Sequence, residues 1–185
     1  MHAEILATGS ELLLGEIVDT NSAFIARKLR EIGLNLFYKT IVGDNAERMI
    51  EALQIALNRS DVIITTGGLG PTVDDVTRSA VARAIKAELE FRPDLLEQIE
   101  ARFRAYNVPM SVNNKQQAYI PAGATPIHNP VGTAPCFSVE YQGKLIISLP
   151  GVPREMEYLI EYAVLPFLKE KLDLHAVIVV RTLHV

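Results

Sequence analysis

Apolar positions along this chain change period several times, and each change marks an element. The run Ala3–Ala7 is continuous and stops at Thr8-Gly9-Ser10, which predicts a buried strand followed by a turn. From Asn21 the spacing becomes helical, with Phe24, Ile25, Leu29 and Ile32 on one face and Gly33 placed to end the helix. Leu34–Val42 is rich in strand formers and leads to Gly43. Asp44 with Glu47 three residues on reads as a capping box for a helix that turns Met49, Ile50, Leu53, Ala56 and Leu57 inward. Asp61–Thr66 is the clearest strand, and it runs straight into Gly67-Gly68-Leu69-Gly70. A helix predicted from Thr72 or Val73 then carries Val76, Ala80, Val81 and Ala84 on its inner side. This alternation predicts an α/β fold with a mainly parallel, helix-covered sheet and right-handed crossovers.

The second half is less regular. Pro93–Tyr106 reads as helix, Asn113–Tyr119 as a shorter one, and Pro121-Ala122-Gly123, Asn129-Pro130 and Val131-Gly132 punctuate loops. Cys136–Tyr141 and Lys144–Leu149 flank Gln142-Gly143, a hairpin signal. A long helix is expected from Pro153 to about Leu172, with Met156, Leu159, Ile160, Ala163 and Leu168 inward. His175–Val185 reads as a strand with no closing element after it. The expected organisation is one domain over residues 1–172, with 173–185 as a terminal strand leading towards a C-terminal domain that is absent.

Composition narrows the function classes. The net charge is −4 over 185 residues, with the acids spread along the chain, so no basic footprint for a nucleic acid exists. One cysteine, Cys136, allows neither an intrachain disulfide nor a cysteine-based zinc site. No apolar run approaches the roughly 20 residues that span a bilayer, and the first residues lack the pattern of a signal peptide, so the cytoplasm is the expected compartment.

The glycine loop after the third strand is the strongest chemical signal. Three glycines within four positions let backbone N–H groups close around an anion, and a helix beginning just beyond adds its positive end. It is neither a P-loop nor G-x-G-x-x-G, and a tight strand-to-helix turn would use the same glycines. Asp74 and Asp75 are expected in the first helical turn, where acids complement the dipole. Beside a phosphate they also suit a divalent cation, which is commonly held by one or two carboxylates plus substrate phosphates. After the first strand, Gly9-Ser10-Glu11-Leu12-Leu13-Leu14-Gly15 and Asp19-Thr20-Asn21 supply polar groups at a neighbouring strand end, although one of the latter three also suits a helix cap. Asn129-Pro130-Val131-Gly132-Thr133-Ala134-Pro135 and Leu149-Pro150-Gly151-Val152-Pro153-Arg154-Glu155-Met156 are two further loops with glycine and polar atoms.

Taken in order, these four segments resemble the N-terminal domain of CinA-type (competence/damage-inducible) proteins, in the molybdopterin-binding MoaB/MogA-like superfamily. The resemblance covers nearly the whole chain. It implies a three-layer α/β/α fold, self-association, and a pocket at the glycine loop that takes a phosphorylated nucleotide or a pterin. In CinA-like proteins the domain is associated with hydrolysis of ADP-ribose to AMP and ribose 5-phosphate, dependent on a divalent cation such as Mg²⁺, Mn²⁺ or Co²⁺. Carried onto this chain, the motif implies phosphate contacts from Thr66, Gly67, Gly68, Gly70 and Thr72. Asp74 and Asp75, with Glu155, would hold the cation and carry the catalysis, and Ser10, Asp19, Asn21, Gly132 and Thr133 would complete the pocket. Full-length relatives often add a nicotinamide mononucleotide deamidase domain, for which this chain has no room. Cys136 stands where the family usually has glycine, a change expected to narrow the loop's backbone freedom or crowd the ligand. The expected function is an ADP-ribose pyrophosphatase. The rival reading is a non-catalytic pterin or nucleotide binder, and a third is an oligomerisation module.

Overall fold

Ala3, Ile5, Leu6 and Ala7 of β1 (His2–Thr8) are fully buried, as a strand covered on both faces must be. The computed structural model that places them describes residues 1–174, so most of the expected terminal strand, 175–185, lies outside the described residues. β1 pairs in parallel with β2 (Asn35–Val42) on one side and with β3 (Val62–Thr66) on the other. Between Leu69 and Pro135 lie a small antiparallel pair, β4 (Leu89–Phe91) and β5 (Tyr119–Pro121), and the edge strand β6 (Thr125–Ile127). β7 (Cys136–Tyr141) and β8 (Lys144–Leu149) close the hairpin expected at Gln142-Gly143, where φ is positive at both residues (50° and 74°). β8 pairs in parallel with β3, giving the strand order β2-β1-β3-β8-β7-β6. Four strands run parallel, and the β7–β6 end supplies the antiparallel pairings.

The helices are α1 (Ser10–Leu14), α2 (Thr20–Glu31), α3 (Ala46–Arg59), α4 (Thr77–Ala84), α5 (Pro93–Ala105), α6 (Pro153–Leu159) and α7 (Leu165–Lys171), with a 3₁₀ turn at Val112–Ala118. Thr8 reaches Met49 of α3 and Thr66 reaches Asn21 of α2, so alternate residues of the sheet address opposite layers. Packing of α3 on α4 and of α2 on α6 completes an α/β/α sandwich.

Three helix boundaries differ from expectation. Asn45, not Asp44, caps α3 by accepting from the Arg48 amide. Asp44 instead accepts from the Ser10 amide at the start of α1, while its own amide donates to the Ser10 hydroxyl. The helix after the glycine loop starts at Thr77, because the Asp75 carboxylate captures the amides of Gly70 and Thr72 in a competing turn. The last long helix is interrupted by a π turn at Ile160–Val164, just before Pro166, which has no N–H to continue the ladder. The extra residue rotates the inward face, so Val164 and Leu165 are buried where Ala163 was expected.

At the end of the sheet away from the glycine loop, Glu4 is fully buried and accepts from Arg59 Nη2 at 2.6 Å, from the hydroxyls of Thr40 and Ser60, and from Arg59 Nε. Replacing Glu4→Leu strands three donors, of which the guanidinium is part-exposed and rehydrates. The variant should lose about 1–3 kcal/mol of unfolding free energy by urea titration.

Candidate functional site

Three parallel strands, β1, β3 and β8, end on the same edge of the sheet, at Thr8, Thr66 and Leu149. The order β2-β1-β3 reverses direction at β1, and ligands of open α/β sheets bind beyond the strand ends at such a point. The loops that follow these strands are held against one another by short polar contacts. Asn21 Nδ2 donates to Gly151 O (2.8 Å) and to Thr66 Oγ1 (3.2 Å), and the Thr66 hydroxyl donates to Pro150 O. A Cβ on Gly151 would lie 3.2 Å from Gly67 Cα, so two bare backbones touch there.

The glycine loop is pinned from beneath. Thr77 donates its hydroxyl to Gly67 O (2.8 Å) and its amide to Gly68 O (3.1 Å). Arg78, 5 % exposed, donates Nη1 to Leu69 O (2.6 Å) and Nη2 to Gly70 O (3.0 Å), and Gln117 adds a bond to Leu69 O. In a trans peptide the carbonyl of one residue and the N–H of the next point opposite ways. Drawing the carbonyls of Gly67 and Gly68 towards α4 therefore turns the N–H groups of Gly68 and Leu69 outward, and neither has a partner among the described residues. Gly67 and Gly68 take positive φ (101° and 67°), and a Cβ would meet Thr8 O at 2.5 Å or Thr77 Oγ1 at 2.3 Å respectively. Glycine is required at both. Successive outward amides in such a turn form an anion-binding concavity. Burial lowers the pKa of Arg78 to about 10, with the Asp75 charge acting the other way, so the guanidinium remains a cation at neutral pH behind the loop.

The proposed site residues divide into groups. Gly68, Gly70, Asp75, Thr133 and Glu155 line one cleft of about 340 Å³ together with Gln117 and Gly151. Asp75 faces its own loop: its carboxylate accepts from Gly70 N (2.7 Å), Thr72 N (2.8 Å) and Thr72 Oγ1 (2.5 Å). Asp74 is exposed and does not line the cleft. Glu155, in the first turn of α6, accepts from Asn129 Nδ2 (2.8 Å) and lies where a Cβ on Gly132 would come within 1.8 Å of its Oε2. Glycine at 132 is what admits that carboxylate. Asp19, Asn21 and Thr66 line a separate cavity of about 140 Å³ between β1 and β3. Ser10 is tied to Asp44 outside both. Cys136 is fully buried at the start of β7, without positive φ and away from the cleft lining, so it neither strains the loop nor crowds the cleft. Burial, helped by the Glu155 charge, pushes its thiol pKa well up.

Arg78, Gln117 and Asn129 were not among the expected site residues, although Asn129 stood in a quoted motif. Arg78 looks in sequence like any helix arginine, and Gln117 comes to the loop from 48 residues away. Among the described residues no group of three or more His, Cys, Asp or Glu side chains is placed to hold a metal ion. Asp75 and Glu155 alone share the cleft, so a divalent ion fits only together with ligand phosphates. No helix among the described residues is long and apolar enough to cross a membrane.

Comparison with known proteins agrees with the fold. The family described as "Probable molybdopterin binding domain" matches residues 4–170. A Halothermothrix orenii protein, provisionally named competence-damage inducible, is 50 % identical over 184 residues, which is 100 % of this chain and 44 % of that protein. The chain spans less than half the length of the curated relatives it matches. The crystal structure of CinA from Thermoplasma acidophilum, a protein described as of unknown function, is 36 % identical with a TM-score of 0.80, over 92 % of this chain and 96 % of that one. The molybdopterin biosynthesis enzyme MoaB of Thermus thermophilus shares the fold at 22 % identity and a TM-score of 0.64, over 94 % of each chain.

Two outcomes follow. Arg78→Met would leave the Leu69 and Gly70 carbonyls short of donors, and should cost about 2–4 kcal/mol in urea unfolding. Asp19 caps α2 through the Ser22 amide and pairs with Lys39 at 2.9 Å. Burial alone would raise its pKa, but the Ser22 hydrogen bonds and the Lys39 ammonium outweigh it and hold it below 3.8. A folded pKa below the unfolded one stabilises above the ordinary carboxylate range and is lost as pH falls through the folded value. Asp19→Asn should therefore unfold at lower urea than the parent at pH 7, the two curves converging in acid.

Proposed function

We propose a function from the premise that the chain belongs to the molybdopterin-binding domain family, among its CinA-type and MoaB/MogA-like members: it binds a phosphate-bearing pterin or nucleotide at the glycine loop. The observation that carries this reading is the pair of outward, unpartnered amides of Gly68 and Leu69, backed by the buried Arg78 cation. A phosphate oxygen satisfies both amides, and the guanidinium neutralises part of its charge without contacting it. Gln117 and Thr77 keep the carbonyls, which would repel an anion, on the far side. Thr133 on the opposite wall offers a hydroxyl to the same ligand.

The second reading, hydrolysis of ADP-ribose or a related nucleotide diphosphate to AMP and a sugar phosphate, is favoured by one observation. Asp75 and Glu155 line the same cleft as the free amides. With a ligand diphosphate they would complete the shell of a Mg²⁺, Mn²⁺ or Co²⁺ ion, which supplies Lewis-acid polarisation of a phosphoryl oxygen when bound. Asp75 would have to share oxygens already bonded to the loop, whereas Glu155 keeps Oε1 for the purpose. Self-association belongs to the same proposal, and it is supported by β2, which among the described residues is an edge strand of the sheet and carries Phe37, 61 % exposed.

Calorimetric titration with AMP and with a pterin monophosphate tests the binding reading. Binding should persist in chelator and weaken at least about tenfold in Gly68→Ala, whose methyl group would displace Thr77 and turn the amides. Absence of binding by both ligands would sink it. Release of AMP from ADP-ribose that needs a divalent ion and is lost in Glu155→Gln would establish the hydrolase.

A further inference from the structure

We infer that the cavity between α5 and the loop 128–135 is a second anion site, separate from the glycine loop, for an oxyanion of phosphate size. Gln98 and Arg102 of α5 line one wall, and His128, Gly132, Thr133 and Ala134 line the other. No residue of the glycine loop lines it, and it shares only Thr133 and Ala134 with the cleft. Its volume of about 220 Å³ falls below the roughly 300 Å³ at which pockets for whole drug-sized ligands begin, which suits a small ion.

Several polar groups here are donors short of an acceptor. Arg102 is half-buried, stands 5.8 Å from the Tyr106 ring centroid, and has neither an ion pair nor a hydrogen bond among the described residues. Glu100, on the same helix, pairs with Arg104 instead. In the loop, the Asn129 side chain commits Oδ1 to the Val131 amide (3.2 Å) and Nδ2 to Ala134 O (3.0 Å). The amides of Gly132, Thr133 and Ala134 are left without an acceptor among the described residues, although Gly132 and Ala134 are buried. The Thr133 hydroxyl has no hydrogen bond among them either. A buried N–H without an acceptor is unfavourable until something supplies one.

The charges then choose the occupant. No aspartate or glutamate lines the cavity. Glu155 meets Gly132 from the cleft, where Asn129 Nδ2 already bonds it, so it does not supply the missing acceptor. A cation would meet the Arg102 charge, and a neutral apolar molecule would leave the guanidinium and the amides bare. A tetrahedral oxyanion has oxygens enough for the arginine fork and for the loop amides together. His128 fits the same occupant. Its Nδ1 lies 2.9 Å from Gln98 Oε1, so in the neutral ring Nδ1 donates and Nε2 is left as an acceptor. A phosphate that keeps one hydroxyl supplies the donor for it. The chemistry recognised is a phosphate group, either the free ion or the end of a small monoester.

The test is a ¹H–¹⁵N correlation spectrum of the full chain, titrated at constant ionic strength with inorganic phosphate and separately with glycerol 3-phosphate. The amides of Gly132, Thr133 and Ala134 should shift and saturate. Equal midpoints for the two probes assign the site to the free ion, and a lower midpoint for the ester assigns it to a monoester. Arg102→Gln, with an unchanged melting temperature, should weaken this binding at least about tenfold, the loss of one charge-assisted pair. Any shifts at Gly68 and Leu69 should stay as in the parent. Arg102→Lys, which keeps the charge without the fork, should fall between. Shifts at 132–134 that do not saturate, or that saturate equally in Arg102→Gln, overturn the second site. Saturation at Gly68 and Leu69 alone also overturns it, and leaves the phosphate position at the glycine loop standing.

Discussion

The bonds that hold the glycine loop's carbonyls against α4, from Arg78 to Leu69 and Gly70 and from Thr77 to Gly67 and Gly68, govern the arrangement of the site. A buried cation must be surrounded by acceptors, and here the acceptors are main-chain oxygens of the loop itself. Thr77 draws the preceding carbonyls, of Gly67 and Gly68, the same way, and peptide planarity then turns the Gly68 and Leu69 amides to the opposite side. The loop's glycines are the geometric consequence. At Gly67 and Gly68 the backbone passes too close to Thr8 and Thr77 for any side chain, and φ is positive. Asp75 completes the frame by holding the two amides at the far end of the loop, so that the free donors lie in its middle.

A similar economy organises the rest of the strand-end face. Asn21 joins three chain segments through one amide group, and Glu155 and Gly132 fit together only because one of them has no side chain. The cleft and the switch-point cavity differ in electrostatic character although they are neighbours. Unpaired amides backed by a cation characterise the first, and unpaired oxygens the second.

Much of this was legible in the sequence wherever the determinant is local. The hairpin at Gln142-Gly143 follows from turn chemistry alone, and the buried strands follow from unbroken apolar runs. The family itself could be recognised from four short motifs. What could not be read depends on partners distant in the chain. The start of α4 moved because a side chain competed with the helix for amides, and Asp44 left the cap of α3 to its neighbour because Ser10, 34 positions earlier, needed it. β4 and β5 are three residues each, too short for any period to show. The 3₁₀ turn that delivers Gln117 to the loop carries no signal of that role.

The bond from Asn21 to Gly151 spans 130 positions of sequence. A contact of that separation closes late in folding, after most of the loop-closure entropy has been overcome. The strand-end face is therefore complete only when segments 130 positions apart have met. A ligand that held to both sides of that seam would be bound by the native state alone, and its binding free energy would add to global stability through linkage. Resistance to unfolding in such a domain would then rise and fall with the supply of its small molecule.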